Sequence, residues 1–66
     1  MRLSVNGQQH ELPDGTDLTH LLAAVVPDPR GVAVAVNGSV VPGADWSGTG
    51  LREGDLVEVV TAHQGG

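Results

Sequence analysis

Thr16-Asp17-Leu18-Thr19-His20-Leu21-Leu22-Ala23-Ala24-Val25-Val26-Pro27 is the stretch with helical periodicity, and its reading decides the fold. Leu18, Leu21, Leu22 and Val25 stand at i, i+3, i+4 and i+7, which places them on one helical face. Thr16 is a suitable N-cap, and Asp17 falls in the first turn, where the helix dipole favours an anion. Pro27 and Pro29 stop the pattern, because proline lacks a backbone donor and restricts the residue before it. A helix over about Asp17–Val25 is predicted.

On either side of this helix the period drops to two. Met1, Leu3 and Val5 alternate with Arg2 and Ser4, which reads as a half-buried strand. Asn6-Gly7 follows, and Asn-Gly is a strong hairpin signal because both residues tolerate positive φ. The returning strand, Gln8 to Leu12, is polar and suits a sheet edge. After the helix, Val32-Ala33-Val34-Ala35-Val36 sets valines on one face and alanines on the other. Asn37-Gly38 makes a second hairpin, with Ser39-Val40-Val41 returning until Pro42-Gly43 ends the pairing. Ala44 to Gly50 reads as a loop, Glu53-Gly54-Asp55 as a tight turn, and Leu56 to Thr61 as the last and most β-prone strand.

The sequence thus predicts an α+β domain, with two hairpin-like pairs around one helix laid across one face of a mixed sheet. Leu3, Val5, Val34, Val36, Val57 and Val59 would meet the helix leucines. Glu58, Val60, Ala33 and Ala35 fall on the opposite face. Small apolar side chains there make a flat surface suited to docking a partner.

The chain has 66 residues, 39% of them hydrophobic, with three Arg, no Lys and eight acidic residues for a formal charge of -5. One domain is all this length holds, and a domain this small hides only roughly 60% of its unfolded surface. It has no room for a cofactor-binding sheet and a catalytic cleft of its own. The acidic balance argues against nucleic acid, which needs clustered Lys and Arg. Without Cys there is no disulfide, thiolate metal site or cysteine nucleophile. Met1 to Gly7 lacks the apolar core of a signal peptide, and no apolar run approaches ~18 residues. A soluble cytoplasmic protein with no membrane segment is expected.

The candidate chemistry is sparse. Gly48, Gly50 and Gly54 lack the spacing, the following helix and the Lys of a phosphate loop, and read as turn glycines. His10, His20 and His63 have no paired spacing, so no metal is expected. Ser4, Ser39 and Ser47 lie in no nucleophile motif. No catalytic residue and no cofactor are predicted. Trp46, the sole aromatic, suits a plug at one end of a core of small side chains, with a partner anchor as the other reading.

Gly65-Gly66 is different. The last strand is apolar almost to its end, so the tail leaves from a rigid element. Its final residues shrink to no side chain and could enter a channel too narrow for any Cβ. Five extended residues reach at most ~18 Å, enough to deliver a terminal carboxylate into another protein's active site.

Two hairpins around a helix and a Gly-Gly end resemble the ubiquitin-like β-grasp sulfur carriers, and within them the ThiS family of bacterial thiamine biosynthesis. The residues that carry the resemblance are Ala33-Val34-Ala35-Val36-Asn37-Gly38, Val41-Pro42 with Trp46 four positions later, Glu53-Gly54-Asp55 before the final strand, and Gly65-Gly66. His63-Gln64, ahead of the glycines, is more polar than in many relatives. The resemblance implies a ββαββ β-grasp domain over residues 1–62 and a flexible tail over 63–66. It implies that an E1-like adenylyltransferase activates the Gly66 carboxylate, and that a sulfur donor such as a cysteine desulfurase converts it to a thiocarboxylate. Thiazole synthase would then take the sulfur. Gly65 would be the slim neighbour, with Gln64 and His63 as guide contacts. The chain would be a carrier and not an enzyme.

Other readings remain open from the sequence. The small subunit of molybdopterin synthase shares the Gly-Gly end, although such subunits are generally longer and richer in aromatics. A ubiquitin-like modifier would join its terminal glycine to lysines of targets. A plain interaction module would leave the tail inert.

Overall fold

Two Asn-Gly pairs turn the chain back on itself. Asn6 and Gly7 have φ of 51° and 83°, and Asn37 and Gly38 have 51° and 85°, the left-handed pairs that match the twist of a two-residue hairpin. In the computed structural model, which describes residues 1–61, these turns join β1 (Arg2–Val5) to β2 (Gln8–Glu11) and β3 (Val32–Val36) to β4 (Ser39–Val40). The last strand, β5 (Leu56–Thr61), takes the centre of a five-stranded sheet in the order β2-β1-β5-β3-β4. It runs parallel to β1 and antiparallel to β3. The polar strand β2 lies at an edge, as its composition predicts. This is the ubiquitin-like β-grasp arrangement, with three strands after the helix where the expected ββαββ order counts two. The boundary expected at residue 62 lies outside the described residues.

The helix α1 spans Leu18–Val25. Its N-cap is Asp17 and not Thr16, which corrects the sequence reading. Asp17 has the extended backbone of a cap, and its carboxylate accepts the His20 N–H at 2.9 Å. Thr16 is engaged one turn earlier, its hydroxyl donating to the Pro13 carbonyl at 2.7 Å. At the other end Val26 is extended, the conformation that the following proline favours, while its N–H still donates to Leu22 O at 2.8 Å.

The core consists of Leu3, Val5, Leu18, Leu21, Leu22, Val34, Leu51 and Val57. Val36 and Val59, expected beside them, are half-buried at its margin. Two features correct the loop expected over Ala44–Gly50. Gly43–Gly48 forms a 3-10 helix after Pro42, with Asp45 N–H on Pro42 O at 2.9 Å. The chain beyond it laces onto the start of α1: Leu18 N–H donates to Thr49 O at 3.0 Å and Leu51 N–H to Thr16 O at 3.1 Å. That lacing sinks Leu51 into the core.

Candidate functional site

Alternation along β5 turns Val57 inwards and Leu56, Glu58 and Val60 outwards, away from α1. The antiparallel register sets Ala33 across from Val60 and Ala35 across from Glu58, and on the far side Ala35 also faces Val40. Ala33, Ala35, Val40, Glu58 and Val60 line one shallow depression. The four residues placed together by the sequence are therefore together in space. The sequence reading missed Val40 and Leu56, which are 74% and 59% exposed and extend the apolar area, as does Val60 at 60%. Strand parity with Glu58 identifies Leu56, and pairing with Ala35 identifies Val40. Glu58 makes no ion pair among the described residues, so one free carboxylate stands amid exposed aliphatic side chains.

The two ends of β5 are held by the two hairpin asparagines. Asn6 Nδ2 donates to Val59 O at 3.0 Å, and Asn6 Oδ1 accepts the Val59 N–H at 2.8 Å. Asn37 Oδ1 accepts the Leu56 N–H at 3.0 Å, and Asn37 Nδ2 donates to Asp55 Oδ1 at 3.0 Å. The turn before β5 is sewn in as well. Gly54, with φ of 85°, donates its N–H to Arg2 O at 2.8 Å, and Arg2 N–H donates to Glu53 Oε1 at 2.8 Å. Asp55 Oδ2 accepts the Arg52 N–H at 2.8 Å. The Glu53-Gly54-Asp55 turn thus anchors the strand that leads to the C-terminus.

The remaining candidates have local roles. Trp46 packs half-buried against the core, with Nε1 donating to Val41 O at 2.9 Å, which agrees with the plug reading. His20 is exposed, with Nδ1 2.7 Å from Asp17 Oδ1. The His20 backbone N–H, and after it the His20 ring, hold the Asp17 carboxyl below the usual carboxylate range. Among the described residues no group of His, Asp and Glu is placed to hold a metal ion, no polar side chain is buried, and no helix is long and apolar enough to cross a membrane. His63, Gln64, Gly65 and Gly66 lie outside the described residues.

Comparison with known proteins agrees with the resemblance drawn from the motifs. The model of the ThiS family matches residues 3–66. The crystal structure of a thiamine biosynthesis protein, ThiS, from Geobacter metallireducens is similar with a TM-score of 0.88 and 32% identity, over 100% of both chains. The solution structure of a thiamine biosynthesis protein from the same organism gives a TM-score of 0.77 and 32% identity, over 100% of this chain and 88% of that one. A search of curated proteins finds no match. The β-grasp sheet, the hairpin and turn motifs and a family match through Gly66 lead to one conclusion: the chain belongs to the ThiS family.

Proposed function

We propose that this chain is a sulfur carrier for thiazole formation in thiamine biosynthesis, with Gly66 as the carrier residue. The observation that supports this most is the ThiS family match, which spans nearly the whole chain and takes in Gly65 and Gly66. The domain presents a substrate and leaves the chemistry to its partners. An E1-like adenylyltransferase docks on the apolar sheet face around Ala33, Ala35, Glu58 and Val60. The Gly66 carboxylate attacks the α-phosphorus of ATP, forming an acyl adenylate and releasing pyrophosphate. Sulfur from a donor such as a cysteine desulfurase then attacks the acyl carbon and expels AMP. A thiol reductant supplies the two electrons that bring persulfide sulfur to the thiocarboxylate level. Thiazole synthase accepts that sulfur into its product. Gly65 keeps the tail slim where it enters the activating enzyme, with Gln64 and His63 as contacts along the way.

Labelled sulfur tests the scheme. The chain is loaded by the activating enzyme with ATP and a donor carrying labelled sulfur, then passed to thiazole synthase. Label in the thiazole product supports the reading. Label that stays off the product, or Gly66 found joined to a lysine of another protein, contradicts it.

A further inference from the structure

On the side of β5 that faces β1, the carbonyls of Asp55, Val57 and Val59 accept hydrogen bonds in turn. The first two bonds come from the backbone N–H groups of Ser4, at 3.0 Å, and Asn6, at 2.9 Å. At Asn6 the chain swings away with φ of 51°, and β1 ends while β5 runs on to Thr61. The Asn6 carboxamide fills the gap. Its Nδ2 donates to Val59 O and its Oδ1 accepts the Val59 N–H, so one side chain stands in for the missing strand residue. On its other side the end of β5 is held by β3, through the pair Val32 and Thr61. Without the carboxamide, Val59 would lose its partner on the β1 side, and the strand end would hang from β3 alone.

The consequence rests on the sulfur-carrier reading. Gly66 stands five residues past the end of β5. A five-residue chain spans at most ~18 Å, so the position of its root at the end of β5 sets the region its tip can reach. A misplacement of ~1 Å can cost about a hundredfold where near-attack geometry is needed. The geometry points to Asn6 as a positioning residue for sulfur loading: its paired bonds to Val59 aim the end of β5, and with it Gly66, at the activating site of the partner enzyme. Asn37 provides the internal control. It has the same φ of 51° and also makes two side-chain bonds at β5, but at the start of the strand, on Leu56 and Asp55.

The test compares Asn6→Gly with Asn37→Gly in the full chain. Glycine keeps the left-handed turn without strain and removes the carboxamide in both. Both variants are assayed where circular dichroism shows them fully folded. Thiocarboxylate formation is followed by intact mass with the activating enzyme, ATP and a sulfur donor, at varied carrier concentration. Asn6→Gly should lower kcat at least about tenfold. Its KM should stay within about twofold, because Glu58 and Val60 remain paired with Ala35 and Ala33 of β3. Asn37→Gly should keep both parameters within about twofold. Amide exchange at Val59 should quicken in Asn6→Gly only. Asn6→Asp, which keeps the acceptor for the Val59 N–H and loses the donor, should retain an intermediate kcat, and it carries the test should Asn6→Gly not fold. Equal kcat in the two glycine variants, or a wild-type kcat in Asn6→Asp together with an unfolded Asn6→Gly, would overturn the positioning role. Failure of the wild-type chain to form any thiocarboxylate would instead overturn the sulfur-carrier reading, and the positioning role with it.

Discussion

Asn6 and Asn37 share one left-handed backbone conformation, and each folds its carboxamide onto β5, Asn6 at Val59 and Asn37 at Leu56. The hairpin turns therefore also clamp the central strand from opposite sides. Asparagine serves both needs, because it tolerates positive φ and carries a donor and an acceptor on one short side chain.

The glycine after each asparagine is required by its backbone and not by crowding. A Cβ at Gly38 would meet nothing within 4 Å, yet φ is 85° there. Gly38→Ala should thus destabilise the fold by about 1–2 kcal/mol through strain alone. Gly43 has no such φ, and an added Cβ would sit 3.9 Å from the Trp46 ring, an ordinary contact. Gly43→Ala should be neutral or stabilising by about 0.4–1 kcal/mol. Urea midpoints of the two variants check this; equal losses would count against it.

Leu22 and Leu51 are 1% and 6% exposed in the same core. Truncating either to Ala should cost about 2–5 kcal/mol. A domain of this size sits near the low end of the ~5–15 kcal/mol typical of folded proteins, so Leu22→Ala is expected to be largely unfolded at 37 °C. Chemical denaturation with circular dichroism measures it. A midpoint close to wild type would show that the helix face is misplaced.

Leu51 also shows where sequence reading stops. The strands, both hairpins and the helix face were legible because each repeats: Val32 to Val36 alternates, Leu18 to Val25 follows a helical period, and Asn-Gly marks the turns. Leu51 stands alone among polar and small residues, so no period reveals it. Its burial comes from contacts distant in sequence, the backbone bonds from Leu18 to Thr49 and from Leu51 to Thr16. The 3-10 helix over Gly43–Gly48 is hidden likewise, being too short to repeat. Thr16 and Asp17 are both competent caps, and only the Pro13–Thr16 turn decides between them. On the outer sheet face, alternation identifies Glu58 and Val60, whereas Val40 needed the β3–β4 register.

The cap has a pH signature. Asp17 is held below its usual range first by the His20 backbone N–H and then by the His20 ring. A carboxyl whose folded pKa is depressed stabilises the fold above its unfolded value of ~3.9, and that contribution is lost as pH falls through the lower folded value. Asp17→Ala should therefore melt at a lower temperature than wild type at pH 7, with the gap narrowing below about pH 4. A gap that stays constant with pH would contradict the role of the charge.

The outer sheet face should govern recognition. Val60→Asp places a second carboxylate beside Glu58 on the exposed apolar area and should weaken binding to the activating enzyme at least about tenfold, as expected when a charge enters a small transient interface of under ~1,200 Å². Glu58→Arg should be milder. Both variants should fold, since both side chains lie on the surface. Titration calorimetry with the activating enzyme separates the outcomes, and unchanged binding in Val60→Asp would remove this face from the docking surface.

Deletion of Gly66 tests the carrier role most directly. The carboxylate moves back by one residue, up to ~3.6 Å, which is more than near-attack geometry tolerates. The full chain and the truncated chain are each incubated with the activating enzyme, ATP and a sulfur donor, and their intact masses are recorded beside their thermal unfolding. The full chain should gain the mass of one oxygen exchanged for sulfur, while the truncated chain should melt at the same temperature and gain nothing. Sulfuration of the truncated chain at the wild-type rate, or no mass gain in either chain, would contradict Gly66 as the carrier of sulfur.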